Sequence, residues 1–270
     1  MLTVCRENNV FFMDGVMFMH NNRYQKITQE EHRQRFGREG PSDCTSSFSF
    51  PGNEEFFKSN IRVSPKLDPL GCLGDLGYYN IRFALGVFGW TLPNSVSAHI
   101  NLSKDNVPID TSTTLFWDTT DKVDEYGLPS VKTATFHCSF RHQFQQWVKI
   151  SSSTLSQSIS DFVLPTNNAA SKLAEDKGGK WVTDSNGTSI AVVLNEVEYP
   201  TPDRQEVFMW KRFACIVAEK AYETHCFWPA VALANHVIID AILNSASQNG
   251  KKVTVDPENL MDSFWKAQKL

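Results

Sequence analysis

The sequence predicts an α+β protein with an open, mainly antiparallel sheet and flanking helices. The middle of the 270-residue chain contains short runs of alternating polar and apolar residues, separated by turn signals such as Lys104-Asp105-Asn106 and Gly178-Gly179. Longer segments with helical spacing lie on either side of this β-rich region. Apolar residues make up 41% of the chain and aromatic residues 12%, which is enough for a buried core.

The first residues predict the end of a helix followed by a buried strand. Residues 2–8 have a helical pattern, and Asn8-Asn9 is a turn signal. Residues 10–13 are continuously apolar, as in a parallel strand. A single parallel strand with half a helix cannot bury both of its faces. We therefore expect residues 10–13 to be the last strand of an incomplete α/β sheet, with the chain beginning inside a larger domain.

Two helical segments and one strand are expected next. Residues 21–36 are mostly polar, and Gly37 is a suitable closing residue for a helix there. Residues 45–50 alternate in the manner of a half-buried strand. Residues 71–86 predict an apolar helix that begins with small residues and ends before Gly89.

The remaining pattern predicts six strands followed by two long helices. The strands are expected at 95–103, 107–118, 132–141, 144–152, 156–164 and 188–197. One helix is expected at 204–221 with Asp203 as its N-cap. The other is expected at 229–248 and begins with proline, a favoured first helical residue. A short strand at 253–255 and a helix at 258–268 complete the chain.

Charge and patterning exclude several classes of function. The net charge is −4, and acidic and basic residues are interspersed, so no basic stripe is available for nucleic acid. No apolar run reaches the roughly 18 residues of a membrane span. The first residues also lack the basic-then-apolar layout of a signal peptide. We expect a cytoplasmic protein with neither a nucleic-acid nor a membrane partner.

The six cysteines favour reduced thiols over a disulfide scaffold or a zinc site. They are scattered along the chain without a Cys-x-x-Cys pair. Cys138 has His137 and His142 close in sequence, but residues 137 and 138 of a strand point to opposite faces. No metal site is therefore expected.

The segment from Gly71 to Arg82 contains the strongest candidate for chemistry. Asp75 and Tyr79 lie four residues apart, about one helical turn, and are expected on one face of the helix. A carboxylate beside a tyrosine hydroxyl in a cleft can transfer protons. The alternative is a tyrosine packed by its ring and an acid that stabilises the helix start. No Gly-x-Gly-x-x-Gly or Walker-type loop occurs in the chain, so the usual phosphate-binding loop is missing.

A series of motifs runs through nearly the whole chain in a fixed order. They are Val10-Phe-Phe-Met-Asp-Gly-Val-Met-Phe-Met-His-Asn-Asn-Arg23, Ser47-Phe-Ser-Phe50, Phe56-Phe-Lys-Ser-Asn-Ile-Arg-Val-Ser-Pro65, Leu70-Gly-Cys-Leu-Gly-Asp-Leu-Gly-Tyr-Tyr79, Ala134-Thr-Phe-His-Cys-Ser-Phe140, Met209-Trp-Lys-Arg-Phe213 and Trp228-Pro229. This order resembles the C-terminal part of the Gfo/Idh/MocA oxidoreductases. It is most similar to the branch that contains dimeric dihydrodiol dehydrogenases and NADP-dependent D-xylose dehydrogenases.

The resemblance implies a two-domain enzyme. Its N-terminal Rossmann domain would bind NADP or NAD, and its C-terminal domain would contact a sugar, dihydrodiol or polyol substrate and form a homodimer through the open sheet. Residues 1–20 would be a remnant of the Rossmann domain, and residues 21–270 the substrate and dimerisation domain. The glycine-rich loop of the family and its Glu-Lys-Pro motif, whose lysine is catalytic, would precede residue 1. The resemblance therefore implies impaired activity.

The resemblance also suggests roles for five residues. Tyr79 would be the proton donor or acceptor, and Asp75 would orient it or bind a substrate hydroxyl. His20 and Arg23 follow the first expected strand at its carboxyl end, where ligands bind in open α/β sheets. The resemblance would put His20 near the substrate and the cofactor, and Arg23 at the cofactor. Arg62 would reach a phosphate or a substrate hydroxyl through its planar guanidinium. The alternatives are capping by His20 and a surface ion pair for Arg62.

Other patterns indicate packing. Three glycines at 71, 74 and 77 allow either the close approach of a ligand or tight packing of a helix start. Four residues recur at helical spacing and are expected in the core. These are Trp210, Phe213, Ile216 and Val217. His236, in an apolar helix, is expected to be a packing residue.

Three hypotheses about function follow. The first is an oxidoreductase-family chain whose parent activity is hydride transfer between NAD(P) and a CH–OH group. The second is a non-enzymatic module that pairs with itself or with a longer relative. The third is a fragment of a mis-started gene model in which Met1 is an internal methionine.

Overall fold

A computed structural model of the protein describes residues 1–37, 40–123, 129–166, 170–178, 180–184, 187–191, 194–220 and 226–256. The expected helix at 258–268 lies outside these ranges. The strands are β1 (Asp43–Ser49), β2 (Ser95–Leu102), β3 (Pro108–Val123), β4 (Pro129–Ser139), β5 (Gln145–Ser151), β6 (Ser156–Ile159), β7 (Ala170–Asp176), β8 (Lys180–Asp184), β9 (Gly187–Ala191), β10 (Leu194–Pro200) and β11 (Val253–Thr254).

Nine of these strands form one mixed sheet in the order β10-β7-β6-β5-β1-β4-β3-β2-β11. Only the β1–β4 pair is parallel among the neighbours in this sheet, so the expected mainly antiparallel sheet is confirmed. β8 and β9 form a separate antiparallel hairpin. The result is an α+β fold.

The strand predictions differ from the structure in three places. β6 is shorter than the segment predicted at 156–164, and the segment predicted at 188–197 is divided between β9 and β10. β7 and β8 were not expected. β7 contains Glu175, which is buried and accepts two hydrogen bonds from the Arg35 guanidinium at 2.6 and 2.8 Å. Because Glu175 is charged, its buried position on β7 looks like an exposed one in the sequence, and the alternation of polar and apolar residues is lost.

The predicted parallel strand at residues 10–13 is wrong. Residues 10–16 are extended but belong to neither described sheet. Phe11 is buried and lies 5.6 Å, centroid to centroid, from the ring of Phe213, whereas Val10 is 56% exposed. The hydrophobicity of this segment therefore serves packing against a helix rather than sheet pairing. No described strand of the sheet offers it a partner, and the proposed Rossmann remnant at 1–20 stays a prediction.

The helices flank the sheet and occur in shorter pieces than expected near the N-terminus. The α-helices are α1 (Leu2–Glu7), α2 (Asn22–Ile27), α3 (Glu30–Arg33), α4 (Glu54–Ser59), α5 (Tyr78–Val87), α6 (Gln205–Glu219) and α7 (Phe227–Ser247). Short 3-10 turns lie at Met17–His20, Gln34–Phe36 and Ile61–Val63. The helix expected at 21–36 is thus α2, α3 and one 3-10 turn, and it is followed by Gly37 at φ 96°.

Two details of the long helices correct the predictions. The N-cap of α6 is Arg204 rather than Asp203, and Asp203 accepts a hydrogen bond from Lys211 at 2.6 Å instead. Trp210 on α6 is 65% exposed and Val217 is 39% exposed, so neither is a core residue. Of the four residues expected in the core there, Ile216 is fully buried.

One face of the sheet is covered and the other is open. In β5, Gln146, Val148 and Ile150 are buried, whereas the alternate residues Gln145, Trp147 and Lys149 are exposed. This alternation is the signature of a sheet with one packed face. The open face, defined by these exposed β5 residues and the residues on the same side of β1, β4 and β3, agrees with the expected open sheet.

α7 is the core helix of the covered face. Among the described helices it alone is long and apolar enough to cross a membrane, judged by length and composition. Its residues Val231, Ile238 and Ile242 are at most 1% exposed and pack in the main hydrophobic core. The apolar composition of α7 therefore reflects burial between the sheet and α5.

Candidate functional site

The candidate site begins with a wide helical turn before α5. Residues Leu73–Gly77 form a π-helical turn, a feature that is frequent at functional sites. Gly71 has φ +50°, and a Cβ there would overlap the carbonyl oxygen of Pro108. A Cβ on Gly77 would lie 3.1 Å from the Cys138 sulfur. These contacts favour tight packing on β3 and β4 as the reason for the two glycines.

Asp75 and Arg62 are brought together by this turn. The Arg62 Nε donates a hydrogen bond to Asp75 Oδ2 at 2.8 Å. The side chains are 41% and 23% exposed, respectively, so the pair lies at the surface of the site. Arg62 also keeps its terminal guanidinium nitrogens without a protein partner among the described residues. The pair can therefore present both a fixed carboxylate and a free donor to a hydroxyl-bearing ligand.

Tyr79 lies half-buried between aromatic rings next to this pair. Its ring is 5.8 Å from that of Phe48 and 6.1 Å from that of Phe18. Within the described part of the chain, its hydroxyl makes no hydrogen bond. Burial raises the pKa of Tyr79, as do the negative charges of Asp75 and Asp14, while the positive charge of Arg62 opposes the increase. Tyr79 is therefore a neutral hydroxyl with free hydrogen-bonding capacity.

The Arg62–Asp75 pair should move the pKa of Tyr79 in opposite directions when each partner is removed. Arg62→Gln should raise that pKa further, whereas Asp75→Asn should lower it, because the two charges act with opposite sign. The measurement is the tyrosinate absorbance titration of each variant, from which the same titration in a Tyr79→Phe background is subtracted. Shifts of the same sign in both variants would contradict this electrostatic arrangement.

A buried network adjoins Tyr79 and was not expected from the sequence. Asp14 accepts hydrogen bonds from the Tyr78 hydroxyl at 2.7 Å and from Arg82 at 2.5 and 3.2 Å. The Arg82 side chain is completely buried, and its Nε donates to Asn235 on α7 at 3.0 Å. Burial raises the pKa of Tyr78, and the Asp14 carboxylate raises it further. The network joins the extended segment 10–16, α5 and α7.

His20 is a further buried residue on which the charge of Asp14 acts. Its ring is stacked on Trp228 with centroids 4.9 Å apart and planes within 9°. The residue is 2% exposed, and its Nε2 is buried without a hydrogen-bond partner. Burial lowers the pKa of His20 to about 4, helped by the positive charge of Arg212 and opposed by Asp14. His20 is therefore a neutral imidazole with one unused nitrogen.

The cleft beside His20 has a volume of about 480 Å³. Its lining includes Lys211, Arg212 and Cys215 from α6, together with His20 and Asn22. Arg212 beside the imidazole suits a ligand that carries negative charge or several oxygen acceptors, while Lys211 is paired with Asp203 and Glu219 adds one acidic side chain to the lining.

His20 should make the stability of the protein depend on pH in the acid range. Its pKa in the folded state lies below the ordinary value of 6.5, so the unfolded state takes up the proton first as the pH falls. The contribution of His20 to the free energy of unfolding should be fully present above about pH 6.5. It should fall by about 3 kcal/mol as the pH approaches 4. Urea unfolding across this range measures the effect. His20→Phe, which keeps the stacking ring, should remove the part of the decline that is due to His20; buried His32, whose pKa is also lowered by burial, should keep its own part, and His99→Phe at an exposed position should leave the decline unchanged.

Arg23 lies apart from the other expected site residues. It is 2% exposed and donates to Asp161 Oδ1 at 2.7 Å, to the Lys172 carbonyl at 2.6 Å and to the Asp161 carbonyl at 2.9 Å. With these donors engaged, the side chain holds α2 against β7. Its expected contact with a cofactor stays a prediction, and the observed contacts favour a structural role.

The structure thus brings Tyr79, Asp75 and Arg62 together, and the charge of Asp14 acts on both Tyr79 and His20. Sequence reasoning missed Asp14 and Arg212. Asp14 directly follows the apolar segment 10–13, and a carboxylate at the end of a buried segment was the available signal. Arg212 belongs to the pattern Met209–Phe213 but carried no spacing that relates it to His20. His236 is exposed and its ring lies against that of Tyr78 at 5.7 Å, so it packs at the rim of this region.

The fold is that of oxidoreductases of known structure. The 3-ketoreductase KijD10 of Actinomadura kijaniata, solved with NADP and TDP-benzene, matches 90% of this chain with a TM-score of 0.67 and 18% identity. The aldose-aldose oxidoreductase of Caulobacter crescentus, solved with glycerol, matches 94% with a TM-score of 0.65 and 14% identity. A Desulfitobacterium hafniense protein described as an NADPH-dependent oxidoreductase matches 96% with a TM-score of 0.64 and 16% identity.

These matches establish the fold. This chain spans 65% of the length of the 3-ketoreductase and 66% of that of the aldose-aldose oxidoreductase. No family model matches the sequence.

Proposed function

We propose that this chain forms the substrate side of an NAD(P)-dependent oxidoreductase of the Gfo/Idh/MocA type. The reaction would be hydride transfer between NADP or NAD and a CH–OH group of a sugar, a dihydrodiol or another polyol. The observation that carries the proposal is the Tyr79 hydroxyl, which has no described partner and lies beside the Asp75–Arg62 pair. The match to the 3-ketoreductase fold, with NADP present in that protein, supports the same class of chemistry.

In this mechanism, Tyr79 holds or delivers the proton of the reacting oxygen. Oxidation of a CH–OH group removes a proton from oxygen and a hydride from carbon, and the nicotinamide ring accepts the hydride when the cofactor is bound. In the reduction direction the neutral Tyr79 hydroxyl would donate its proton to the reacting oxygen; in the oxidation direction the substrate proton would pass to the tyrosinate form, which the raised pKa of Tyr79 disfavours. Asp75 and Arg62 position the substrate by hydrogen bonds to its hydroxyls. Proton transfer by Tyr79 and positioning by Asp75 and Arg62 both require the reacting carbon of the substrate to lie next to Tyr79.

The chemistry of the cleft beside His20 fits the approach of a charged cofactor. Arg212 offers positive charge, Lys211 is paired with Asp203, and the buried Nε2 of His20 has no described protein partner. These residues would contact the polar part of NADP or NAD, while Arg23, which is engaged with Asp161, would not. The proposal assigns His20 to the border between substrate and cofactor.

Two further parts of the proposal concern assembly and location. Trp147 is 38% exposed on the open face of the sheet, which suits a homodimer in which two such faces meet. A cytoplasmic location agrees with six free cysteines in the described structure.

A combined binding and turnover experiment tests the proposed function. The chain is mixed with NADP⁺ or NADPH and with D-xylose, D-glucose, glycerol or a trans-dihydrodiol, and nicotinamide absorbance and binding heat are recorded. We expect binding of at least one polyol that weakens in Asp75→Asn and Tyr79→Phe but not in Tyr199→Phe. Absence of binding and turnover together with a stable oligomer would overturn the enzymatic proposal and favour the binding and dimerisation module.

A further inference from the structure

Two histidines and one aspartate converge on the open face of the sheet, away from the site described above. Asp110 on β3 is paired in register with Ser139 on β4, so His137, two residues earlier on β4, is a diagonal neighbour of Asp110 on the same face. His142 lies in the turn that follows β4. One ligand atom from each of the three side chains lies within 4.8 Å of the other two.

The distances are close to those of a metal centre. His137 Nε2 shares a hydrogen bond with Asp110 Oδ1 at 2.7 Å, which a bound metal would replace, and His142 Nε2 is 3.7 Å from the same oxygen. Around a tetrahedral zinc ion with ligands at about 2.0–2.1 Å, neighbouring ligand atoms are about 3.3 Å apart. When zinc binds, the separation between His137 Nε2 and Asp110 Oδ1 must therefore widen from 2.7 Å toward that value. The separation between His142 Nε2 and Asp110 Oδ1 must narrow from 3.7 Å. The two imidazole rings meet edge to face at 82°, with centroids 4.9 Å apart, and both Nε2 atoms face the same carboxylate oxygen of Asp110.

A side chain on the neighbouring strand already orients the aspartate. Asn101 on β2 donates to Asp110 Oδ2 at 2.9 Å and leaves Oδ1 to face the two histidines. Such partners orient a ligating carboxylate. Sequence reasoning set aside a metal at His137 because Cys138 points to the opposite face. The structure keeps that separation, since Cys138 is fully buried, but it supplies Asp110 as the third ligand.

We propose that Asp110, His137 and His142 form a zinc site on the open face of the sheet. Two imidazoles and one carboxylate suit zinc, whereas calcium and magnesium prefer oxygen ligands throughout. Three protein ligands leave a fourth position for water or for an added ligand.

The site would fix a crossover of the chain. Because β1 lies between β4 and β5 in the sheet, the segment 140–144 must pass over the end of β1 to connect them. The Ser49 hydroxyl already donates to the Gln143 carbonyl at 2.7 Å from that strand end. Zinc bound through His142 would tie the same turn to β3 and β4.

Metal titration of the full chain tests this site. The protein is treated with EDTA, dialysed and titrated with zinc chloride by calorimetry in a Cys215→Ser background, since Cys215 is an exposed thiol. We expect one ion per chain and saturable binding. His137→Ala and His142→Ala should each weaken zinc binding by more than about a hundredfold. Asn101→Ala should weaken it by about 10–100-fold, the usual effect of removing a residue that orients a metal ligand. His236→Ala, an exposed histidine on α7, should leave binding unchanged.

The visible spectrum of Co²⁺ bound in place of zinc identifies the ligand atoms. Co²⁺ at the proposed site should give visible bands of tetrahedral nitrogen and oxygen coordination, and these bands should disappear in His137→Ala. Charge-transfer bands typical of cobalt thiolate would place the ion on cysteines and overturn the proposal. So would equal zinc affinity in the wild-type chain and in His137→Ala, or the absence of saturable binding. None of these measurements depends on oxidoreductase activity.

Discussion

Under the proposed function, in which Tyr79 transfers the proton, Tyr79→Phe is expected to lower any kcat for hydride transfer by about 10²–10⁴-fold, the usual contribution of a general acid or base. The variant keeps the ring that packs between Phe18 and Phe48 and removes the hydroxyl alone. Because that hydroxyl makes no hydrogen bond within the described structure, the fold loses little when it is removed. Loss of one substrate hydrogen bond should weaken polyol binding only by about 0.5–1.5 kcal/mol, so the effect should fall mainly on kcat.

Steady-state kinetics and thermal unfolding of the same preparations measure this prediction. Tyr199→Phe is the matched control, because Tyr199 is also partly buried but lies on β10. A Tyr79→Phe enzyme with kcat within a few-fold of the wild type would exclude Tyr79 as the proton-transfer residue. A variant that loses activity and also unfolds at a much lower temperature would show a packing role instead.

Asp14→Ala is expected to lower the free energy of unfolding by about 3–5 kcal/mol, the typical cost of removing one partner from a buried ion pair. Arg82 has no exposed side-chain surface, and the Asp14 carboxylate accepts two of its hydrogen bonds and one from Tyr78. Without Asp14 the guanidinium would remain buried with its charge uncompensated. The carbonyl of Val231, 3.3 Å away, and the Asn235 oxygen supply only neutral acceptors.

Urea denaturation of the variant measures the loss. Asp118→Ala is the control, since Asp118 pairs with Lys252 at 3.5 Å in a half-exposed position and should cost less than about 1 kcal/mol. Asp14→Asn should fall between the two because an amide oxygen still accepts a hydrogen bond. A loss below 1 kcal/mol in Asp14→Ala would mean that water reaches Arg82 and that the network does not anchor segment 10–16.

Local patterns predicted most of the sheet and part of the site. Strands β2 to β5 alternate between a buried and an open face, and this alternation is visible in the sequence. Tyr79 and Asp75 could be related to each other because they lie within one helical turn. Their partner Arg62 could be named as a candidate, but its hydrogen bond to Asp75 depends on how the 61–63 turn packs against the π-helical turn.

The features that the sequence did not predict depend on contacts between residues that are distant in the chain. Residues 10–13 were assigned to a strand because a continuous apolar run has the same pattern whether it pairs in a sheet or packs under a helix. Asp14 becomes meaningful only beside Arg82, and Asp110 only beside His137. Trp210 has the spacing of a core residue, yet α6 buries Ile216 and leaves the Trp210 side of the helix exposed.

The central position of β1 has a consequence for how this chain folds. β1 pairs through Asp43 with Thr133 on one side and with Ser151 on the other, so both of its neighbours are synthesised long after it. The meander of β2, β3 and β4 and that of β5, β6 and β7 can each assemble from nearby residues, but neither can join the other without β1. Closing these long loops is entropically costly and slows folding. We therefore expect refolding to be limited by the docking of this one early strand, and mutations in Asp43–Ser49 to slow refolding more than mutations in either meander.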